Sequence, residues 1–356
     1  MEEDMRDELF RYFERDIGRP PAGAPERVLA GLRGAPPRGQ SNPLQWLAAS
    51  AAAVLMVLLV GTLLMSRVGG RPQPAGPAPV PGLRSGAAVG YDPDRGVLVM
   101  FGGTGANGAA LDDTWTWDGH QWARQRPAVS PPPLSGPGAM AFDDDRGTVV
   151  LYAGSGATWT WNGTNWTPGA AGPATSGPIA MAYDPGTRAV LLYAALSDGS
   201  HQLWSWDGAR WSQLHPPVLP ELSGAAMVSD NGQVLLVGVP VGPVRGQFVT
   251  ETWAWDGRTW AQLAPAVRLP IGTQAAAHEQ AHGTVVAFVY PSDTQIAETW
   301  VWDGATWRRE HPAHQPPGRP DPTVAYDRNA NRVVLYDGDL WTWDGVDWTL
   351  VQEGTK

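Results

Sequence analysis

One nine-residue pattern constrains this chain more than anything else in it. Thr114 to Trp122 reads TWTWDGHQW, and the pattern returns at Thr158 to Trp166, Leu203 to Trp211, Thr252 to Trp260, Thr299 to Trp307 and Leu340 to Trp348. Each copy is Trp-x-Trp-[Asp/Asn]-Gly-x-x-Trp, and together they use every tryptophan except Trp46. Self-similarity on this scale means that the repeat is the fold, so single residues have to be read in its frame.

Each repeat divides into four short strands. In the first they are Ala87 to Tyr91, Val97 to Gly103, Asp113 to Trp117 and Gln121 to Arg124. A turn at Asp92-Pro93-Asp94-Arg95-Gly96 separates the first two, and Asp118-Gly119 separates the last two. Asp-Gly, once Asn162-Gly163, accepts positive φ in a hairpin, and tryptophans flank it. Trp115 and Trp117 are two residues apart and leave the same face of their strand. First tryptophans stand at 115, 159, 204, 253, 300 and 341. Four strands in each such period make a propeller blade, and six repeats make six blades. Blade one starts on its innermost strand and blade six ends on its outermost, which allows the ring to close without exchanging a strand.

The hydrophobic run Val97 to Phe101 ending in Gly102-Gly103, a variable loop and then spaced aromatics resemble the kelch repeat, in its bacterial form with a Tyr-Asp-Pro turn and a Trp-Asp-Gly hairpin. Tyr91-Asp92-Pro93 and Tyr183-Asp184-Pro185 carry the turn, and Phe142-Asp143 and Tyr326-Asp327 approach it. The double glycine occurs once; the matching pairs are Ala153-Gly154, Ala194-Ala195, Gly238-Val239, Val289-Tyr290 and Asp337-Gly338. The resemblance covers residues 85 to 353 and implies an all-β, six-bladed β-propeller of four-stranded kelch-like blades, bounded at about 85–132, 133–174, 175–218, 219–267, 268–317 and 318–356. It also implies the galactose oxidase-like superfamily. The oxidase's copper radical cofactor needs a Cys cross-linked to Tyr, and this chain contains no cysteine.

Residues 1–45 read as a short head with two helix-like pieces. One carries Met5, Leu9, Phe10, Phe13 and Ile17 on one side; the other runs from Pro25 to Leu32. Neither buries a core alone, so the head is either a tail with transient helices or a docking segment for an intracellular protein. Trp46 to Met65 is twenty uncharged residues, about 30 Å of helix, and is read as a single transmembrane helix in the lipid bilayer. The 45 preceding residues, with Glu2, Glu3 and Asp4, separate it from a cleaved signal peptide. Arg27, Arg33 and Arg38 on one side balance Arg67, Arg71 and Arg84 on the other, so charge does not orient the span. A short head inside and the repeats outside the cytoplasm is the expected arrangement. Residues 66–84, rich in Pro and Gly, form a semi-extended linker. A short helical head before one span is also the layout of membrane-bound regulators such as anti-sigma factors.

From Ser85 onward there are 27 Asp and Glu against 15 Lys and Arg, a net charge of −12. Such a surface repels phosphate backbones, which excludes nucleic acid as a partner of the repeats. Without cysteine there is no disulfide framework, thiolate metal site or cysteine nucleophile.

His278-Glu279-Gln280-Ala281-His282 matches HExxH, the zinc-protease pattern, which requires a helix to aim both imidazoles at one metal. The repeat frame overrules it. AAAHEQAHG at 275–283 aligns without a gap on AVGYDPDRG at 88–96, so His278 takes the place of Tyr91 and His282 that of Arg95 on a hairpin. Asn162 and Asn165 fit the glycosylation pattern but fall inside the Trp repeat. His120, His201, His215, His311 and His314 share no pattern.

No catalytic, cofactor-binding or metal-binding residue is assigned, and no cofactor. The tryptophans are expected to pack between blades, and the Asp of each Asp-Gly turn to satisfy backbone. The function expected is non-enzymatic: an anchored propeller offering a binding surface to a protein, peptide or envelope glycan. Its contacts are placed on the variable loops Thr104 to Ala110, Leu196 to His201, Pro240 to Val249 and Pro291 to Ala297. A regulator with the propeller as sensor and a polysaccharide hydrolase or lyase are the alternatives.

Overall fold

A computed structural model describes residues 80–354, apart from 135, 137, 176, 178, 197, 243–248, 292–293, 295 and 320–321. The head, the apolar span 46–65 and the linker up to residue 79 lie outside the described residues. No helix among the described residues is long and apolar enough to cross a membrane.

Each repeat forms one four-stranded antiparallel sheet whose strands lie in chain order. In blade one they are Ala88–Asp92, Val97–Phe101, Thr114–Trp117 and Trp122–Gln125, within two residues of the sequence reading. The innermost strands of the other blades are Gly138–Asp143, Ile179–Asp184, Leu222–Asp230, Gly272–Glu279 and Thr323–Asp327. Each lies beside the innermost strands of its two neighbours, and that of blade one lies beside that of blade six. The described residues therefore form an all-β six-bladed propeller with a central channel. Among the described residues no strand is exchanged between the first and last blades.

The core is divided among six seams. Each seam gathers the three tryptophans of one blade against the middle strands of the blade before it. Between blades one and two, for example, Val99 and Phe101 meet Leu151, Trp161 and Trp166. The two tryptophans closing each hairpin are cross-strand partners, with ring centroids 5.2–5.6 Å apart and planes tilted by 44–51°. Each indole removes roughly 150–250 Å² from water, on the order of 5 kcal/mol as an upper bound.

Four of these indoles also lock onto the preceding blade by hydrogen bonds. Trp166, Trp211, Trp307 and Trp348 donate Nε1–H to the hydroxyls of Thr114, Thr158, Thr252 and Thr299 at 2.8–3.0 Å. Blade three has Leu203 at this position, and the Nε1 of Trp260 is buried without a partner.

The Asp-Gly connections are four-residue loops, longer than a two-residue turn. In each, the Asp or Asn Oδ1 accepts the backbone N–H groups two and three residues on, as Asp207 does from Ala209 and Arg210 at 2.9 Å. Asn162 plays this part in blade two, and the Oδ1 of Asn165 accepts the N–H of Ala128 at 2.8 Å. Both asparagines thus serve the turn and the crossover from the previous blade.

The segment entering the ring touches both of its ends. Arg84, whose side chain is 2% exposed, forms a two-pronged bond to Asp113 at 2.6 and 3.0 Å and donates to Gly102 O at 3.0 Å, all in blade one. Val80 packs against the seam of blades six and one, and Leu83 lies against Gly338 and Gly354 of blade six. Propeller packing therefore includes Val80 and Leu83, inside the stretch read as linker. The entry segment and Leu134 together account for the single double glycine. Arg84–Ser85 pairs with Thr104–Gly105, and a Cβ on Gly103 would stand 2.8 Å from Ser85 O, while one on Gly102 would stand 2.7 Å from Leu134 Cβ.

Candidate functional site

Antiparallel order puts the first-to-second and third-to-fourth turns of every blade on one face of the ring and the second-to-third loops on the other. The variable loops picked out from sequence connect second to third strands of blades one, three, four and five, so they share the second face. Thr104–Gly105 within the first of them is pinned by pairing to the entry strand. Residues 197, 243–248, 292–293 and 295 of the others lie outside the described residues.

The channel holds a cavity of about 440 Å³ that opens on the first face and is lined by the innermost strands and their turns. It is tiered, because alternate residues of six equivalent strands contribute at matching heights. The deeper tier is Val89, Met140, Met181, Met227, Ala276 and Val324; two residues on come Tyr91, Phe142, Tyr183, Ser229, His278 and Tyr326. Between them small residues allow close approach of the strands: a Cβ on Gly90 would already sit 3.0 Å from Met140 Cβ.

The upper tier is asymmetric. Blades six, one, two and three supply an uninterrupted aromatic wall, Tyr326, Tyr91, Phe142 and Tyr183. Blades four and five replace it with Ser229 and His278, and their turns add Asn231, Gly232 and Gln280. Two rings of the wall are held in place through their hydroxyls. Tyr91 donates to Asp327 at 2.8 Å, and Tyr326 accepts from Ala281 N at 3.0 Å while donating to Asn331 at 3.2 Å. Burial raises the pKa of both phenols and of Tyr183, so all three remain neutral.

Each innermost strand ends in a carboxylate with its side chain turned away from the cavity: Asp92, Asp143, Asp184, Asp230, Glu279 and Asp327, each at most 4% exposed. Arg95 holds Asp92 at 2.8 Å, Arg146 holds Asp143 at 2.9 Å, and Thr187 with Trp255 holds Asp184 at 2.7 and 3.0 Å. Glu279 has His282 Nδ1 at 3.0 Å. His282 thus makes the contact that Arg95 makes in blade one, as the repeat frame requires. His278 likewise pairs in register with Val285, as Tyr91 does with Leu98. The HExxH residues therefore lie on a strand and its turn, with His278 and Glu279 on opposite faces. Among the described residues no group of three or more His, Asp or Glu is placed to hold a metal ion.

His278 is the imidazole of the cavity wall. Its Nε2 stands 3.5 Å from Asp230 Oδ1 and has no hydrogen-bond partner. Burial holds its pKa below that of a free imidazole, Arg328 adds to this, and Asp230 and Glu279 oppose it. Burial also raises the pKa of Asp230. At the mouth Arg328 of blade six lies 3.7 Å from Asp144 of blade two, flanking the turn of blade one. Asp144 is the sole carboxylate among the described lining residues, and burial together with Asp94, Asp143 and Asp145 raises its pKa against the pull of Arg328.

The cavity thus offers a fixed aromatic wall, an opposing arc of hydroxyl, amide and imidazole groups, and an apolar floor. Sequence reasoning placed the contacts on the pattern-free loops and missed this site, although one signal was available. The residue before each buried carboxylate is aromatic in four repeats, and Ser229 and His278 break the series side by side.

No family model matches the chain, and no curated protein matches it. Among solved structures it is similar in fold to the SapL1 lectin in complex with alpha methyl fucoside, at 16% identity and a TM-score of 0.55 over 76% of this chain and 96% of that one. It is also similar to AofleA from Arthrobotrys oligospora, at 13% identity and 0.54 over 77% and 88%. A third is the fucose-specific lectin from Aleuria aurantia, at 14% identity and 0.53 over 78% and 99%. These likenesses concern the fold.

Proposed function

We propose that this chain is a non-catalytic carbohydrate-binding propeller that seats one sugar ring of a glycan in the central cavity. The observation that carries the reading is the division of the upper tier into an aromatic wall and a facing polar arc. A pyranose has an apolar face that packs on aromatic rings and a girdle of hydroxyls that needs donors and acceptors, and the cavity offers the two on opposite sides. Its volume of about 440 Å³ suits a small ligand and is too small for a protein element. The lectins that share the fold support the same ligand class.

Binding without turnover is part of the proposal. Hydrolysis of a glycosidic bond in the usual way takes two carboxyl groups flanking it. Here the six strand-end carboxylates face away from the cavity, and Asp144 at the mouth is matched by Arg328.

The finer sequence reading fits this role: a kelch-type ring, anchored by residues 46–65 and held outside the cytoplasm, would present its cavity to envelope or extracellular glycans. A cysteine introduced at Ser197 reports the side of the membrane, through labelling of intact cells by an impermeant maleimide.

The test is a glycan panel with the full chain and with Gln280→Trp, which places an indole at the mouth from an exposed turn position. Wild-type binding that Gln280→Trp abolishes is expected. Binding that survives the plug would move the site away from the channel.

A further inference from the structure

The deeper tier of the cavity has a chemistry that sugar hydroxyls do not match. Val89, Met140, Met181, Met227, Ala276 and Val324 form a ring with no hydrogen-bonding group apart from the weakly accepting thioethers. Three methionines are adjacent, on blades two, three and four, and each is 7–8% exposed while lining the cavity. A hydroxyl lowered to this level would lose its water without gaining a partner, which is unfavourable. A methyl group would gain dispersion contacts with polarizable thioethers that adapt to its shape. The polar arc sits two residues higher on each strand, about 6–7 Å along the channel at the usual strand rise. That offset leaves a sugar ring at the upper tier with one exocyclic group pointing down.

Resting on the carbohydrate reading above, we propose that the cavity selects a sugar bearing a methyl group, a 6-deoxy or an N-acetyl sugar, inserted methyl first onto the methionine floor. The ring then lies between the aromatic wall and the arc of Ser229, Asn231, His278 and Gln280. The two sugar types share one chemistry at the floor and differ at the level above, where an N-acetyl sugar would also present an amide to Asn231 and Gln280.

Two matched pairs of probes test this by calorimetry on the full-length protein: L-fucose with L-galactose, which differ by a methyl in place of a hydroxymethyl group, and N-acetyl-D-glucosamine with D-glucose. The methyl-bearing member of at least one pair is expected to bind about tenfold tighter, the usual scale for one apolar group set against an unpaired hydroxyl. Met227→Gln should shrink that ratio to near unity. Ala276→Ser, a smaller change in the same ring, should shrink it in the same direction and guards against misfolding of the glutamine variant. Fucose binding without N-acetylglucosamine binding identifies the 6-deoxy class, and the reverse identifies the N-acetyl class. Sugars that bind with no preference within either pair, or with a preference that both floor variants leave intact, overturn the floor assignment and leave the carbohydrate reading standing. No binding of any sugar, on these pairs and on the wider panel, overturns both.

Discussion

Thr158 Oγ1 accepts the indole N–H of Trp211 at 2.8 Å across the seam between blades two and three. The same latch closes three other seams, and blade three lacks it because Leu203 stands where threonine stands in its neighbours. Thr158→Val keeps the shape and removes the acceptor, leaving a buried N–H unpaired. A loss of about 1–3 kcal/mol in denaturant unfolding is expected, with a coupling of about 1 kcal/mol to Trp211→Phe in a double-mutant cycle. At position 203 the isosteric pair should keep this order. Leu203→Thr should be at least as stable as Leu203→Val, because the hydroxyl meets the N–H of Trp260.

His278 should titrate below a free imidazole. Its pKa is lowered chiefly by burial, so the folded protein takes up this proton less readily than the unfolded chain. Its contribution to stability is full above about pH 6.5 and falls as the pH drops below that value. Asp230 and Asp144, whose pKa values are raised by burial, work in the opposite direction at lower pH. The histidine effect is therefore read as the difference between wild type and His278→Tyr, which restores the residue found at this position in three repeats. Proton NMR of the imidazole gives the midpoint directly, and Asp230→Asn should lower it further by removing the opposing charge.

Arg84→Met should destabilise the ring more than any change to an exposed ion pair. Burial alone would raise the pKa of Asp113, yet the bonds from Arg84 and Trp115 bring it below the usual carboxylate range. Removing the guanidinium leaves a half-buried charge without its partner, at a cost of about 3–5 kcal/mol. Adding Asp113→Asn should recover part of the loss, since an amide oxygen still accepts from Trp115. Thermal unfolding of the two variants beside wild type decides it.

Tyr183→Ala opens the aromatic wall at a half-buried ring and should weaken glycan binding about fivefold to tenfold. Tyr183→Phe should bind nearly as well as wild type, since the ring face is what contacts the ligand. Equal loss in both variants would assign the contact to the hydroxyl.

The blades were legible from sequence because their determinants are local. Trp117, Asp118, Gly119 and Trp122 lie within six residues, and so do their counterparts in the other five repeats. The register of His278 was legible for the same reason, since the turn at 280–283 copies the spacing of the turn at 93–96. The cavity was not, because it is assembled from single positions some forty to fifty residues apart. Its polar arc consists of departures from the repeat, and in the sequence Ser229 looks only like a weaker match to Tyr91. The latches were hidden because Thr114 and Trp166 are adjacent only when one blade is laid against the next.

Each blade is a continuous stretch of chain, and the ring is shut by side-by-side packing with Leu83 resting on Gly354. The blade at which the polypeptide starts is thus independent of the cyclic order of blades around the axis. A circular permutant of residues 80–354, cut in the crossover between blades two and three and joined by a short linker from Gly354 to Val80, would retain every strand pair and every seam. Its binding would depend only on which blades sit opposite one another, so a loop of genes encoding these blades could be reopened at another repeat without moving the ligand.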